Sequence, residues 1–410
     1  MTNPTSGSSP GSFGGYPVRP NLNHLDARAL PKDLPERLQA RIEEARRELA
    51  APFVGVTTDG VPLPGLFALR STGVSTQPIV EAARAFLEVL SEAQREAVAR
   101  AIDSSDWRAW LNPEMYLLRH GVLLESLDAG GREAALNLVR ASLSRAGFDS
   151  VRNLMRLNEL LKELTGNVEG LGEWLYFVTI FGTPSPTEPW GWQLDGHHIN
   201  INCFILGDQV VLTPTMLGAE PLYGDRAPYL DIHEFTAQER TGRELMDALS
   251  SAQRDEATLF RSIRSTDLPP DRYDFANGRQ KAHALRDNVV IPYEGIRAAS
   301  LDAAQQAALL RVLEAHTAML RPGDDTLRLE EVRAHLDETR FAWMGGHSAE
   351  DVFYYKVQSP VVLIEFDMHK GIFLSNDEPE RFHVHIVIRT PNGNDYGKDL
   401  LRQHLARRAH

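Results

Sequence analysis

At 410 residues, 42% hydrophobic and 24% charged, the chain has an ordinary globular composition and the length for two domains or one large one. Its formal charge of -13 argues against nucleic acid and acidic membrane surfaces as partners. The single cysteine, Cys203, excludes an internal disulfide framework and any thiolate-rich zinc or iron–sulfur site. A bound metal would have to rest on histidine and carboxylate.

The first twenty residues, rich in Gly, Ser and Pro, read as a disordered tail up to about Pro20. They have neither the cationic start nor the apolar core of a secretory signal, and no apolar run approaches the roughly 18 residues of a membrane helix. The expectation is a cytoplasmic protein with a small molecule as its partner. Residues 21–410 read as one α+β domain. A helical part covers about 31–165, and a histidine-rich sheet part, mixed or antiparallel, covers about 171–410.

Pro31–Leu49 carries Leu34, Leu38, Ile42 and Ala45 at helical spacing. Pro52–Gly65, broken by Gly and Pro, suggests a short hairpin around Thr58-Asp59-Gly60. Thr76–Ala101 is helical with an interruption near Ser91, where Ser91-Glu92-Ala93-Gln94 has the form of a capping box. Further helices are expected at Gly131–Ala146, Ser150–Leu164, Thr236–Arg264, Ala298–Ala318 and Lys398–Arg408. Strands are expected at Leu175–Phe181, Gln193–Leu206, Gln209–Leu212, Thr339–Trp343, Val352–Gln358, Val361–Asp367 and Arg381–Arg389. Gly207-Asp208 is the expected turn between two of them.

Two of these strands carry the chemistry. In Phe181–Cys203 (FGTPSPTEPWGWQLDGHHININC), three prolines forbid a helix through the first half, and the second half alternates. On a period of two, His198, Asn200 and Asn202 share one face; His197, Ile199, Ile201 and Cys203 share the other. Adjacent His197 and His198 cannot both point to one side of a strand, which makes His198 the better ligand. Trp190 and Trp192 are either walls of the site or core aromatics. In Arg381–Arg389 (RFHVHIVIR), His383, His385, Val387 and Arg389 line one face. Two histidines at i and i+2 project side by side, roughly 6–7 Å apart at the backbone, and can reach one ion. Arg389 can lean back to clamp an anionic group. The competing reading is the solvent face of an edge strand.

Glu365 sits inside an apolar strand and is either a structural ion-pair partner or a ligand. His404, beside Leu401 and Leu405 on the last helix, is a core histidine or a fourth ligand. His347, in a glycine turn, is expected to be exposed. There is no Walker A motif, Gly-rich dinucleotide fingerprint, His-Glu-x-x-His helix or Gly-x-Ser-x-Gly elbow.

The blocks FGTP…PWGWQLDGHHINI, TPTMLGAEP (Thr213–Pro221), YYKVQSPVVLIEFD (Tyr354–Asp367) and HVHIVIR…NDYGKDLLRQH (His383–His404) together resemble the bacterial and fungal family catalogued as domain of unknown function family 3500. The resemblance runs from about Leu171 to the end and implies that the two histidine blocks occur together; it confers no activity. From the residues, the expectation is a metal-dependent enzyme with His198, His383, His385 and His404 as ligands and His197, Glu365 and Arg389 in catalytic roles. Trp190, Trp192, Asn200, Asn202 and Arg389 would contact a small polar or anionic substrate. Imidazole ligands without thiolate favour Fe(II) or Cu, with Zn possible. Oxygen-using oxidation is the leading chemistry. A zinc hydrolase with Glu365 as base and a non-enzymatic metal- or ligand-binding protein are the alternatives.

Overall fold

The computed structural model describes residues 11–20, 25–30, 32–113 and 116–408. Ten helices occur among them: α1 (Glu36–Ala50), α2 (Gln77–Val89), α3 (Glu92–Val98), α4 (Ala129–Ser142), α5 (Arg145–Thr165), α6 (Thr236–Ala248), α7 (Ser251–Ala257), α8 (Ala303–Thr317), α9 (Asp324–Ala334) and α10 (Lys398–Arg408). Their ends follow local chemistry. At α3 the Ser91 side chain accepts from the Gln94 N–H while the Gln94 side chain accepts from the Ser91 N–H, the reciprocal box expected from the sequence. Ser250 and Gln253 repeat that box and split the single helix expected over Thr236–Arg264 into α6 and α7. The N-cap Ser144, which accepts from the Gly147 N–H, starts α5 several residues earlier than the sequence suggests. Helix α9 was not anticipated: its residues lack a clear apolar stripe.

Eight strands build the sheet: β1 (Tyr176–Gly182), β2 (Trp190–Gly196), β3 (Ile199–Leu206), β4 (Thr215–Ala219), β5 (Arg340–Gly345), β6 (Phe353–Gln358), β7 (Leu363–Lys370) and β8 (Pro379–Arg389). Their spatial order is β5-β6-β7-β8-β4-β3-β2-β1, antiparallel throughout. Five short segments bring the total to thirteen strands, and two of them, Ala99–Arg100 and Thr258–Phe260, pair in parallel. The fold is therefore α+β with a mixed sheet. Strand β4 joins the central hairpin to the C-terminal meander and so brings residues near 198 beside residues near 385.

The two faces of the sheet differ sharply. Ile199, Ile201, Val384, Ile386, Phe366 and Tyr355 point to one face, which α4, α6 and α8 cover; Trp192 Nε1 donates to Ser142 Oγ of α4, and His316 of α8 meets the Tyr355 hydroxyl at 2.7 Å. The other face carries Gln193, Asn202, His385, Asp367, Glu365 and Arg389, all nearly solvent-free. Irregular stretches within 103–120 and 270–297 cover it and supply its polar partners. One apolar cluster runs from Phe13 to Leu401.

Two expectations fail here. The tail is structured from Gly11 onward: Ser12–Phe13 pairs with Tyr16–Pro17, and fully buried Phe13 packs on Tyr223 and Phe382 at 4.9 and 5.7 Å. A single aromatic anchor outweighs the Gly/Ser composition; residues 1–10 lie outside the described residues. The expected hairpin in Pro52–Gly65 is absent, because Thr57 instead bridges to Val290.

Candidate functional site

His197 and His198 are the two residues of the turn between β2 and β3, not part of a strand. His198 takes φ +62°, the left-handed region that a non-glycine residue enters at a cost of about 1 kcal/mol. The turn is pinned: the His198 N–H donates to Asn112 O at 3.3 Å and the Gly218 N–H donates to His198 O at 2.8 Å. This backbone aims the His198 ring across β4 towards β8. There His198 Nε2 lies 3.1 Å from His385 Nε2, which lies 3.0 Å from His383 Nε2. The nitrogens of all three fall within 4.8 Å of one another.

Protons limit how such a contact is satisfied. His383 Nδ1 is 2.7 Å from the Lys370 carbonyl, which can only accept, so Nδ1 bears the hydrogen and Nε2 a lone pair. Burial drives the His383 pKa down to about 3, and burial together with neighbouring histidines holds His198 and His385 well below the ordinary imidazole value. The cluster is therefore neutral, and the His383 Nε2 lone pair faces His385 Nε2. Two imidazole nitrogens about 2.1 Å from one ion stand about 3.0–3.4 Å apart for right-angle to tetrahedral bonds. The two close pairs already meet that spacing.

The surroundings fix the rings. His197 stacks on His198 at 3.8 Å, and its Nδ1 is 2.8 Å from Asn158 Oδ1 of α5. The turn frees both rings from strand alternation, so the expectation that they must point apart is wrong. Glu220, fully buried, accepts the N–H groups of Ile372, Phe373 and Leu374, and its Oε2 is 3.6 Å from His383 Nδ1. Burial raises the Glu220 pKa to about 7 against those bonds. A Cβ on Gly218 would stand 2.9 Å from His385 Cδ2 and 3.0 Å from His198 Cδ2, so only glycine leaves the rings room.

His369 was missed. Its ring centre lies 4.8 Å from those of both His383 and His385, it is fully buried, and its Nδ1 donates to the same Lys370 carbonyl at 3.0 Å. Its Nε2 has no partner, and neither has His385 Nδ1. The signal was present: Glu365, Asp367 and His369 continue one alternation, which the sequence reading stopped two residues short.

Other expected residues stand elsewhere. Arg389 shares the histidines' face but is committed: it donates to Asp287 Oδ1 at 2.7 Å and to the carbonyls of Ala282 and His283, with Asp395 at 3.3 Å. Burial opposes its charge, and Asp287 and Asp395 more than offset that, so it is no anion clamp. Glu365 accepts from the Lys281 and Ala282 N–H groups and the Tyr354 hydroxyl, which occupies both oxygens in holding the covering loop. His404 sits on α10 with Nε2 3.8 Å from Glu188 and does not join the cluster. Trp190 and Trp192 pair across from Ile205 and Cys203 and point into the helix-covered core. Asn202 donates to Asn200 Oδ1 and Pro214 O, and Asn200 to Asp195, so their polar groups serve an internal network. His347 is half-buried, with Nε2 3.1 Å from Thr258 Oγ1.

Fold and site together define an α+β protein whose broad mixed sheet buries a histidine cluster on its loop-covered face. The chain belongs to the family described as Protein of unknown function (DUF3500), whose profile matches residues 72–398 and so includes every histidine of the cluster. No curated protein and no solved structure matches it. Among the described residues no helix is long and apolar enough to cross a membrane.

Proposed function

We propose that this protein binds one late first-row transition metal ion, Fe, Cu or Zn, through the Nε2 atoms of His198, His383 and His385. The observation that carries the reading is the convergence of three buried, neutral imidazoles at 3.0 and 3.1 Å with no carboxylate among them. Imidazole-only donor sets suit these metals, and a hydrogen-bonded outer partner such as Lys370 O, on His383 Nδ1, is what orients a metal-binding histidine. Such an ion would supply oxidative chemistry if Fe or Cu, and Lewis acidity if Zn.

A second reading is an oxygen-using oxidoreductase acting on a small polar molecule. Its support is that three protein donors leave coordination positions free. The zinc-hydrolase reading loses its base, because both Glu365 oxygens are held by the loop at 281–282 and by Tyr354. Elemental analysis of untagged, unchelated protein tests the proposal. Close to one equivalent of Fe, Cu or Zn is expected, lost in His385→Ala and kept in His347→Ala. Metal-free protein that takes up none of the three on addition would sink it. Oxygen consumption by the loaded protein separates the enzymatic reading from simple binding.

A further inference from the structure

On the loop-covered face of β7, Glu365, Asp367 and His369 stand at alternate positions, and one stretch of the covering loop lies over all three. The first two clamp it. Glu365 holds the Lys281 and Ala282 N–H groups at 2.8 and 2.9 Å. Asp367 accepts from the Arg279 N–H at 3.0 Å and from its buried guanidinium at 2.5 Å, and that guanidinium also donates to the carbonyls of Ile263 and Met368. Over His369 the contact is of another kind. The Gly278 backbone rests on the ring edge, where a Cβ would stand 2.8 Å from Cδ2 and 3.1 Å from Nε2. No hydrogen bond joins them, since His369 Nε2 has no partner.

Gly278 closes a small turn. It exchanges backbone hydrogen bonds with Asp274 at 2.7 and 2.9 Å, and Asp274 Oδ1 accepts from the Ala276 and Asn277 N–H groups and the Asn277 side chain. Among the described residues, every hydrogen bond of residues 274–277 ends within 274–280. The flanks are anchored, downstream by Arg279 and upstream by Arg272, which pairs with Glu294 at 2.5 Å. Between these anchors Phe275 projects from the tip, 62% exposed. The Lys370 ammonium lies over the rings of Phe275 and Tyr273, 4.4 and 5.8 Å from their centres. The carbonyl of the same residue accepts from Nδ1 of both His383 and His369. Lys370 therefore touches both the turn and the rings beneath it.

We propose that Tyr273–Gly278 is a flap that swings off His369 to open the histidine cluster to solvent, with the Lys370 side chain as its latch. A segment whose hydrogen bonds are nearly all its own opens at lower cost than the whole fold. On the metal reading, an ion or small molecule reaches the cluster by this route. The flap itself is tested at His369, which is not one of the three proposed ligands, so metal-free protein would sink that reading without touching this one. The test treats the full chain with diethyl pyrocarbonate at neutral pH and maps carbethoxylated histidines by peptide mass spectrometry. His369 Nδ1 donates to a carbonyl, so Nε2, beneath Gly278, carries the lone pair that reacts. His316, buried against Tyr355 on the opposite face, reports opening elsewhere. In the unaltered protein His369 is expected to react faster than His316. Lys370→Met keeps the carbonyl and should speed His369 about threefold, the worth of an exposed cation–π contact. Asp274→Ala should speed it about tenfold through the lost turn bonds. His316 should keep its rate in both. His369 reacting no faster than His316, a variant that leaves His369 unchanged, or an equal rise at His316 would each overturn the proposal. If Asp274→Ala does not fold, the unaltered protein and Lys370→Met decide it.

Discussion

Strand β8 carries two buried polar groups on one face, and they are built in opposite ways. At Arg389 the charge is closed: two aspartates and two carbonyls surround one guanidinium, and Arg108 and Tyr396 complete the shell around Asp287. At His383 and His385 neutral nitrogens face one another and His198, while two other ring nitrogens nearby have no partner. Burial alone therefore does not mark a site, because a satisfied network buries polar groups as deeply as an unsatisfied one. What separates them is whether the protein itself supplies every partner.

Substitution at the two ends breaks the comparison most strongly. His385→Ala is expected to take metal content from about one equivalent to background with the fold retained, read by elemental analysis beside circular dichroism. Arg389→Met should leave the metal-to-protein ratio of the folded fraction unchanged. It should cost about 3–5 kcal/mol in denaturant unfolding, because Asp287 and Asp395 lose their shared cation in a dry interior. Comparable metal loss in both variants would erase the distinction. Next comes metal removal: chelation should lower stability by about 4 kcal/mol relative to protein held at a thousandfold excess over Kd. The same chelator should leave the melting of His385→Ala unmoved.

Smaller effects sharpen the contrast. Gly218→Ala must push the His385 and His198 rings apart and should weaken metal affinity about tenfold or more, measured by competition with a chromogenic chelator. Unchanged affinity would mean that the rings need no such room. At the closed end, burial holds Lys398 down at about 8, with Asp103 and Asp287 pulling its pKa up and Arg108 pushing it down. Between that value and the ordinary 10.5 the unfolded chain binds more protons than the folded one. Stability therefore rises with pH across this window, and Lys398→Met should remove that rise when denaturation midpoints at pH 8 and pH 10 are compared.

Alternation made much of this legible in the sequence. His383, His385 and Arg389 do share a face, and the expected strands recur in the sheet, except that Gln193–Leu206, expected as one strand, folds back at His197-His198 into β2 and β3. The ring of His198 reaches that face for a different reason: it lies in a two-residue turn at φ +62°, where strand parity has no force. His369 stayed hidden because the strand reading ended at Asp367. The fate of Arg389 was unreadable, since Asp287 is 102 positions away and lies in an irregular loop. Trp190 and Trp192 were closer to legible: pairing Trp192 with Cys203, already placed on the more apolar face, assigns both rings to the core.

The β4 strand has a consequence in time as well as in space. His198 and His385 are 187 positions apart, and only the insertion of Thr215–Ala219 between β3 and β8 makes them neighbours. Closures this long come late in folding, so the three-histidine cluster is completed only when the sheet closes, although His383 and His385 are already neighbours on one strand. Once β4 is in place, His198, His383 and His385 are between 0% and 7% exposed, so on the proposed metal reading an ion would exchange only through local opening of the structure that covers them. The residence time of such an ion would then be a clock for that local unfolding.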